Sequence, residues 1–310
     1  MIRSARANFF AVLIGAAGFL GLVMVGCSAP GKGPMPTGPL PTAAEVLENQ
    51  HAAVDGLDKL WARAVVRVEG NDADGNWLAE QAEGVLQTIP PNKLALSLGK
   101  LNRTRLYLGS NDEWYWWFDM LTDGNRVAVV GRHEPATPEK TAELGLPVHP
   151  LDLIEALAIT PLPDTIEVTG YDGQGNVVVE HPTRWGTRRV SYETIEWKPV
   201  RVQMLDDEGE ALVEAELLGH ARVSIVGDAT RKPWVADRVE IRAAGFDGMV
   251  RLTLFDPQNK MIRDVAFDLE TLAEKVYKID RFHDLDQPAP MPAIETSPDD
   301  SGEGEQDGEP

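Results

Sequence analysis

From Leu60 onward the apolar residues of this chain recur at every second position. Ala64, Val66 and Val68 alternate with Arg63, Val65 and Arg67, and Leu94, Leu96 and Leu98 with Lys93, Ala95 and Ser97. Thr104, Leu106 and Leu108 alternate with Arg105 and Tyr107. The pattern resumes at Val200, Val202 and Met204, at Val213, Ala215 and Leu217, at Val239 and Ile241, and at Val250, Leu252 and Leu254. A period of two puts each set on one face of a strand, with polar residues on the other. The expected product is therefore antiparallel strands with one covered and one wet face. Asp74-Gly75-Asn76, Asp123-Gly124-Asn125 and Asp172-Gly173-Gln174-Gly175 separate the runs with hairpin chemistry. Eleven to thirteen strands are expected, as one large β domain or two small ones.

Two interruptions have helical spacing. Thr42-Ala43-Ala44-Glu45 has the spacing of a capping box, and Ala43, Val46, Leu47, Val54 and Leu57 follow at helical intervals, broken by Gln50 and Asp58. A helix over about 43–57 follows, with its apolar stripe on a sheet. Residues 132–150 contain four prolines and read as a long loop into a short helix with Leu153, Ile154 and Leu157 on one side. A weaker helical pattern lies near Leu269–Val276.

The N-terminus reads as an export signal. Arg3 and Arg6 precede an uncharged run from Phe9 to Val25, and Cys27, the one cysteine, follows Val23-Met24-Val25-Gly26. This ending resembles the lipobox of bacterial lipoproteins. The resemblance implies cleavage between Gly26 and Cys27, with a diacylglycerol and an N-acyl chain on Cys27 as the only attached groups. A spanning helix with an incidental thiol is the alternative, since about seventeen apolar residues is the low end of a spanning length. Residues 27–41 are then a lipidated cysteine and a Pro/Gly-rich tether, 42–286 the body, and 287–310 an acidic tail with almost no apolar residues, expected to be disordered. Ser28 after the cysteine resembles an outer-membrane sorting signal, so the expected location is the outer membrane, facing the periplasm.

Net charge is −20, and residues 284–310 hold nine acids without a Lys or Arg. Such a chain repels nucleic acid, which is excluded as a partner, and solubility is the simplest role for the charge. A single cysteine removes disulfides, Cys-based zinc sites and thiol catalysis. His51, His133, His149, His181, His220 and His283 show no metal-ligand spacing, and no nucleophile elbow or phosphate loop occurs. Neither an enzyme nor a metal protein is expected.

Asn92-Lys93-Leu94-Ala95-Leu96-Ser97-Leu98 runs on to Leu106-Tyr107-Leu108-Gly109-Ser110-Asn111-Asp112-Glu113 and the aromatic run Trp114-Tyr115-Trp116-Trp117. Together with the first helix, the strand meander and the mid-chain helix, this stretch resembles the LolA/LolB-like superfamily of periplasmic lipoprotein carriers and receptors. The match covers about 43–280, and its sharp part about 90–120. The resemblance implies a mainly β, curved, incompletely closed antiparallel half-barrel of about eleven strands with lid helices. It also implies an apolar cavity for acyl chains of a lipid or lipoprotein, in a monomer. Leu94, Leu96, Leu106, Leu108, Trp114 and Trp116 are the candidate cavity residues. Core packing alone also explains the leucines and the aromatics, because each large aromatic buries about 150–250 Å². Three functions follow: a membrane-anchored acyl-chain binder, an interaction lipoprotein with a filled core, or an envelope hydrolase, against which the absent catalytic motifs argue.

Replacing Cys27 with Ser should abolish lipidation and cleavage after Gly26, because no other side chain in the segment can form the thioether. Metabolic labelling with a fatty-acid analogue reads this out, and a Cys27→Ser chain that is still labelled would refute the lipobox.

Overall fold

The computed structural model describes residues 36, 38–71, 75–100, 103–122, 124–137, 140, 149–183, 186–228 and 230–287. Gly26, Cys27, most of the tether, the tail from 288 on, Asp74 and Asp123 lie outside them.

Thr42 and Glu45 make the expected capping box. The Glu45 amide donates to Thr42 Oγ1 at 3.2 Å and the Thr42 amide to Glu45 Oε2 at 2.7 Å. These bonds from Thr42 hold the Glu45 carboxyl below its usual range. Helix α1 spans Ala43–Val54. Gln50, which interrupts its apolar stripe, is buried, accepting from the Leu162 amide at 3.0 Å and donating to the Thr160 carbonyl at 3.3 Å. The interruption is thus a clamp on the chain that follows the second helix. Among the described residues, no helix is long and apolar enough to cross a membrane.

Six strands then form a meander: β1 (Leu60–Asn71), β2 (Trp77–Ile89), β3 (Lys93–Lys100), β4 (Arg103–Ser110), β5 (Trp114–Asp119) and β6 (Val127–Arg132). Helix α2 (Pro150–Ala156) separates them from a second series. That series is β7 (Glu167–Tyr171), β8 (Val177–Thr183), β9 (Gly186–Tyr192), β10 (Pro199–Leu205), β11 (Ala211–Arg222), β12 (Ser224–Ile225), β13 (Trp234–Ala243) and β14 (Gly248–Asn259). A 3-10 turn at Asp264–Phe267, a π-helical turn at Thr271–Val276 and β15 (Arg281–Asp284) end the body.

All fifteen strands described belong to one mixed sheet, in the order β15-β6-β5-β4-β3-β2-β1-β14-β13-β11-β10-β9-β8-β7, with β12 paired to β14. The antiparallel β1–β14 ladder joins the two meanders, Val66 opposite Leu252 and Ala64 opposite Leu254. β7 pairs only with β8 and β15 only with β6, so the sheet does not close into a barrel. The half-barrel is as expected, with more strands than the eleven to thirteen read from the pattern. β12 and β15 account for part of the difference, since two and four residues are too short to display a period.

Five strand spacings separate β3 from β11, roughly 24 Å in a flat sheet. Yet α2 packs against β3, β4, β10 and β11 together. A helix about 10 Å across can touch both arms only if the sheet curls around it. The alternating apolar residues fill this concave side, as Ala62, Ala64, Leu86, Leu94, Val202, Val213, Ala215, Val239 and Ile241 cluster with Val46 of α1 and Leu153, Ile154 and Leu157 around α2. Cross-strand ion pairs occupy the other face, including Arg251–Glu240 at 2.6 Å, Arg201–Glu214 at 2.7 Å and Arg189–Glu180 at 2.6 Å.

One part of the outer face is dry. Ile262, Ala266, Phe267, Leu272 and Ala273 from the C-terminal turns lie on Ala95, Tyr107, Trp116, Phe118, Ala128 and Val130. Tyr107 Oη donates to the Ala266 carbonyl at 2.6 Å, and Asn111 Nδ2 to the Phe267 carbonyl at 3.2 Å. The helical pattern near 269–276 is therefore real, and it covers the convex side instead of roofing the interior.

Gly109 faces the Trp116 ring across the β4–β5 ladder, where a Cβ would overlap the indole. Gly109→Ala should cost about 1–3 kcal/mol by overpacking. Gly173→Ala, in open space, should be near neutral. Urea unfolding of both variants checks the contrast.

Candidate functional site

The inner face of β3–β5 and the helix above it form the candidate site. Cross-strand partners share a face, so the register assigns each side chain. Leu96 lies opposite Leu108, Leu98 opposite Leu106, Leu108 opposite Trp117 and Ser110 opposite Tyr115. Leu94, Leu96 and Leu108 are buried in the inner core with Tyr115 and Trp117, and Leu106 packs against it partly buried. The four leucines thus come together. Trp114 and Trp116 do not join them: Trp116 is opposite Gly109 and belongs to the outer cluster, and Trp114 packs against that cluster too. The expectation that these two tryptophans share the leucine side is corrected, and Tyr115 and Trp117 take their place. The reason is the parity of the turn at 111–113, which puts Leu108 across from Trp117.

Nor is the leucine surface bare. Leu94, Leu96 and Leu108 are 0, 5 and 4% exposed, in the same cluster as Leu153, Ile154 and Leu157. Helix α2 is a roof of seven residues fixed at both ends. At its start, His149 is the N-cap, Nδ1 accepting from the Leu151 amide at 3.1 Å, and Pro150 supplies a preset φ. The His149 ring packs edge-on to Tyr115 of β5 at 4.6 Å, and His133 lies 5.7 Å from both rings.

Near its end, Glu155 pairs with Arg188 of β9, whose Nη1 meets the carboxylate while Nη2 donates to the Glu155 carbonyl at 2.9 Å. Arg188 is 1% exposed, on the inner side of the sheet. His181 is its cross-strand partner, and burial, then the Arg188 charge, push the His181 imidazole below its usual value. Burial also pushes the nearby Tyr192 phenol up to about 12. His181 is therefore held neutral beside the guanidinium. Sequence reading missed Arg188, Glu155, His149 and Tyr115. Charged residues within a strand read as solvent-facing by default, and only the even placement of Arg188 with Val190 and Tyr192 marked it as inward.

The site is an apolar bowl with one buried ion pair. Among the described residues no three His, Cys, Asp or Glu side chains are grouped to hold a metal. It offers hydrocarbon burial under a helix held at both ends.

No protein-family model and no curated protein matches this chain. Solved structures do. A DUF1329 family protein from Desulfovibrio piger is similar at 10% identity, over 74% of this chain and 97% of that one, with a TM-score of 0.52. A structure described as an outer membrane lipoprotein-sorting protein domain, from Vibrio parahaemolyticus, is similar at 14% identity, over 76% and 100%, with a TM-score of 0.50. A LolA superfamily protein from Nitrosomonas europaea follows at 10% identity, over 75% and 100%, with a TM-score of 0.46. The chain shares its fold with the Desulfovibrio and Vibrio structures.

Glu155→Ala would leave the Arg188 guanidinium buried without its counter-charge and should cost about 3 kcal/mol, the low end for a broken buried pair because Glu155 is partly exposed. Replacing both partners, Arg188→Met with Glu155→Leu, should recover most of it. Denaturant melts of the two variants decide; equal losses would show that the pair is not the latch.

Proposed function

We propose that this chain is a non-enzymatic envelope lipoprotein that takes an acyl chain of a lipid or lipoprotein against the inner face of its half-barrel. The reading places it at the outer membrane, facing the periplasm, as a monomer held by a diacylglycerol and an N-acyl chain on Cys27. One observation carries the reading: a continuous apolar sheet surface is roofed by a seven-residue helix instead of a second sheet. Lifting α2 would bare Leu94, Leu96, Leu106 and Leu108 together. The force for binding is hydrocarbon burial, about 0.8 kcal/mol per CH₂, so chain length would matter more than headgroup. The Vibrio structure, described as lipoprotein-sorting, supports the same direction. Burial of the leucines favours a second reading, an interaction lipoprotein whose core stays filled and which acts through its surface.

Mass spectrometry of the full chain purified from membranes, together with titration by a fluorescent fatty acid, separates the two readings. In the acyl-chain reading, Glu155→Ala makes α2 cheaper to lift and should tighten fatty-acid binding, roughly tenfold for each 1.4 kcal/mol removed from the opening cost. Leu96→Phe should weaken it. A chain that carries no lipid and binds no fatty acid in any of the three forms is the filled-core interaction lipoprotein.

A further inference from the structure

One end of the half-barrel carries a belt of tryptophans and cations. β1, β5 and β13 all start there, since Leu60 lies opposite Thr88, Leu94 opposite Ser110, Trp114 opposite Arg132 and Arg222 opposite Trp234. Each start bears a tryptophan with a cation on its ring. Lys260 Nζ is 3.2 Å from the Trp61 ring centre, the Arg132 guanidinium 4.5 Å from that of Trp114, and Arg222 and Lys198 3.6 and 3.9 Å from that of Trp234.

Large apolar side chains stand free at the same end: Ile195 at the β9–β10 tip is 88% exposed, Val226 after β12 is 72% and Met261 after β14 is 89%. They form one arc. Ile195 borders an open groove of about 380 Å³ with Trp197, Arg222, Arg231, Lys232 and Trp234. Arg231 pairs with Asp228 at 2.8 Å, and the Val226 amide donates to the Asn259 carbonyl at 3.2 Å, two residues before Met261.

We propose that this rim docks on the interfacial layer of a phospholipid bilayer, with Ile195, Val226 and Met261 inserted and the groove facing the headgroups. Indoles and the stems of Lys and Arg suit that layer, one end apolar and the other wet. Asp55, Asp58, Glu113, Glu193, Glu196 and Asp228 offset Arg132, Lys198, Arg222, Arg231, Lys232 and Lys260 on the same rim, six acids against six cations, so the partner is a zwitterionic surface, engaged by insertion instead of by net charge.

The path of the chain agrees. Tyr171 Oη donates to the Pro39 carbonyl at 3.2 Å, and Tyr171 lies opposite Val177, itself opposite Tyr192, which places Pro39 at the rim end. Twelve Cα-to-Cα steps link Cys27 to Pro39 and can reach at most roughly 40–43 Å. The proposal rests on the reading above only in that the chain is held at a membrane.

The test uses the full chain in phosphatidylcholine–phosphatidylethanolamine vesicles, with a bimane probe on Ile195→Cys or Met261→Cys. Trp77→Cys serves as the control, exposed by 64% at the opposite end. The rim probes should shift to the blue and be quenched by lipids spin-labelled near the headgroup, at the depth of about 5–10 Å typical of interfacial side chains. The Trp77 probe should stay in water. Raising salt to 0.5 M should leave the quenching within about twofold, because a docking surface without net charge is little affected by screening. Rim probes that remain in water on vesicle-bound protein, or quenching that is equal at both ends, overturn the proposal. So does rim protection that needs an added envelope protein. The readout requires only attachment to the vesicle, by acyl groups on Cys27 or, in a Cys27→Ser background that removes the second thiol, by the apolar run Phe9–Val25, so failed lipidation or failed fatty-acid binding leaves it standing.

Discussion

A sheet that curls without closing must fill its own concave side, and here one seven-residue helix takes most of that task. Helix α2 lies between β3–β4 on one arm and β10–β11 on the other, with α1 alongside through Gln50 and Val46. Among the described residues, α2 touches β3–β4 and β10–β11 at once, while the β1–β14 ladder joins the two arms through the backbone. Sheet curvature, core continuity and access to the inner surface therefore depend on the same few contacts. The consequence is unusual leverage, because a small displacement of α2 would change the exposure of a large apolar area without disturbing a ladder bond.

The end of α2 is fixed by charge where apolar packing would have served. Burying a guanidinium costs several kcal/mol, and a single ion pair with a partly exposed carboxylate returns little beyond that. An apolar pair of equal volume would hold α2 at least as firmly. What the ion pair adds is geometry: Arg188 meets both the carboxylate and the main-chain carbonyl of Glu155, so only one seating of the helix satisfies it. A neutral His181 beside it avoids a second buried positive charge. The latch is specific more than strong.

Much of this architecture was legible in the residues. The period of two located the long strands, Thr42 and Glu45 marked the start of α1, and the short helix expected from Pro150 is α2, whereas most of the long loop expected before it lies outside the described residues. The sidedness of the aromatic strand was not legible. Periodicity assigns faces within a strand, whereas the phase between β4 and β5 is set by how many residues the intervening turn consumes. Trp116 therefore lies under the C-terminal turns, while Trp117 joins Leu108. The weak helical signal at 269–276 concealed that covering role, because a π-turn broadens the apolar stripe that a helix of 3.6 residues per turn would sharpen. Arg188 stayed hidden for a different reason: its inward placement makes sense only once Glu155 is brought over it.

The two ends and two faces of the sheet are thus chemically distinct, although a single alternating pattern encodes them. The convex face is wet and laced with ion pairs except where the C-terminal turns cover it, and the concave face is dry. Tryptophan–cation pairs and exposed apolar tips gather at the end where α1 finishes and where Pro39 meets Tyr171. In the acyl-chain reading proposed above, a rim that meets a bilayer would bring the inner apolar face close to its ligand. The Trp234 groove borders α1 and the β9–β10 turn, next to the edge of the clamp that Gln50 makes on the chain leaving α2. Contact at the rim and movement of the roof would then act on neighbouring parts of one framework, with α1 between them as the mechanical link.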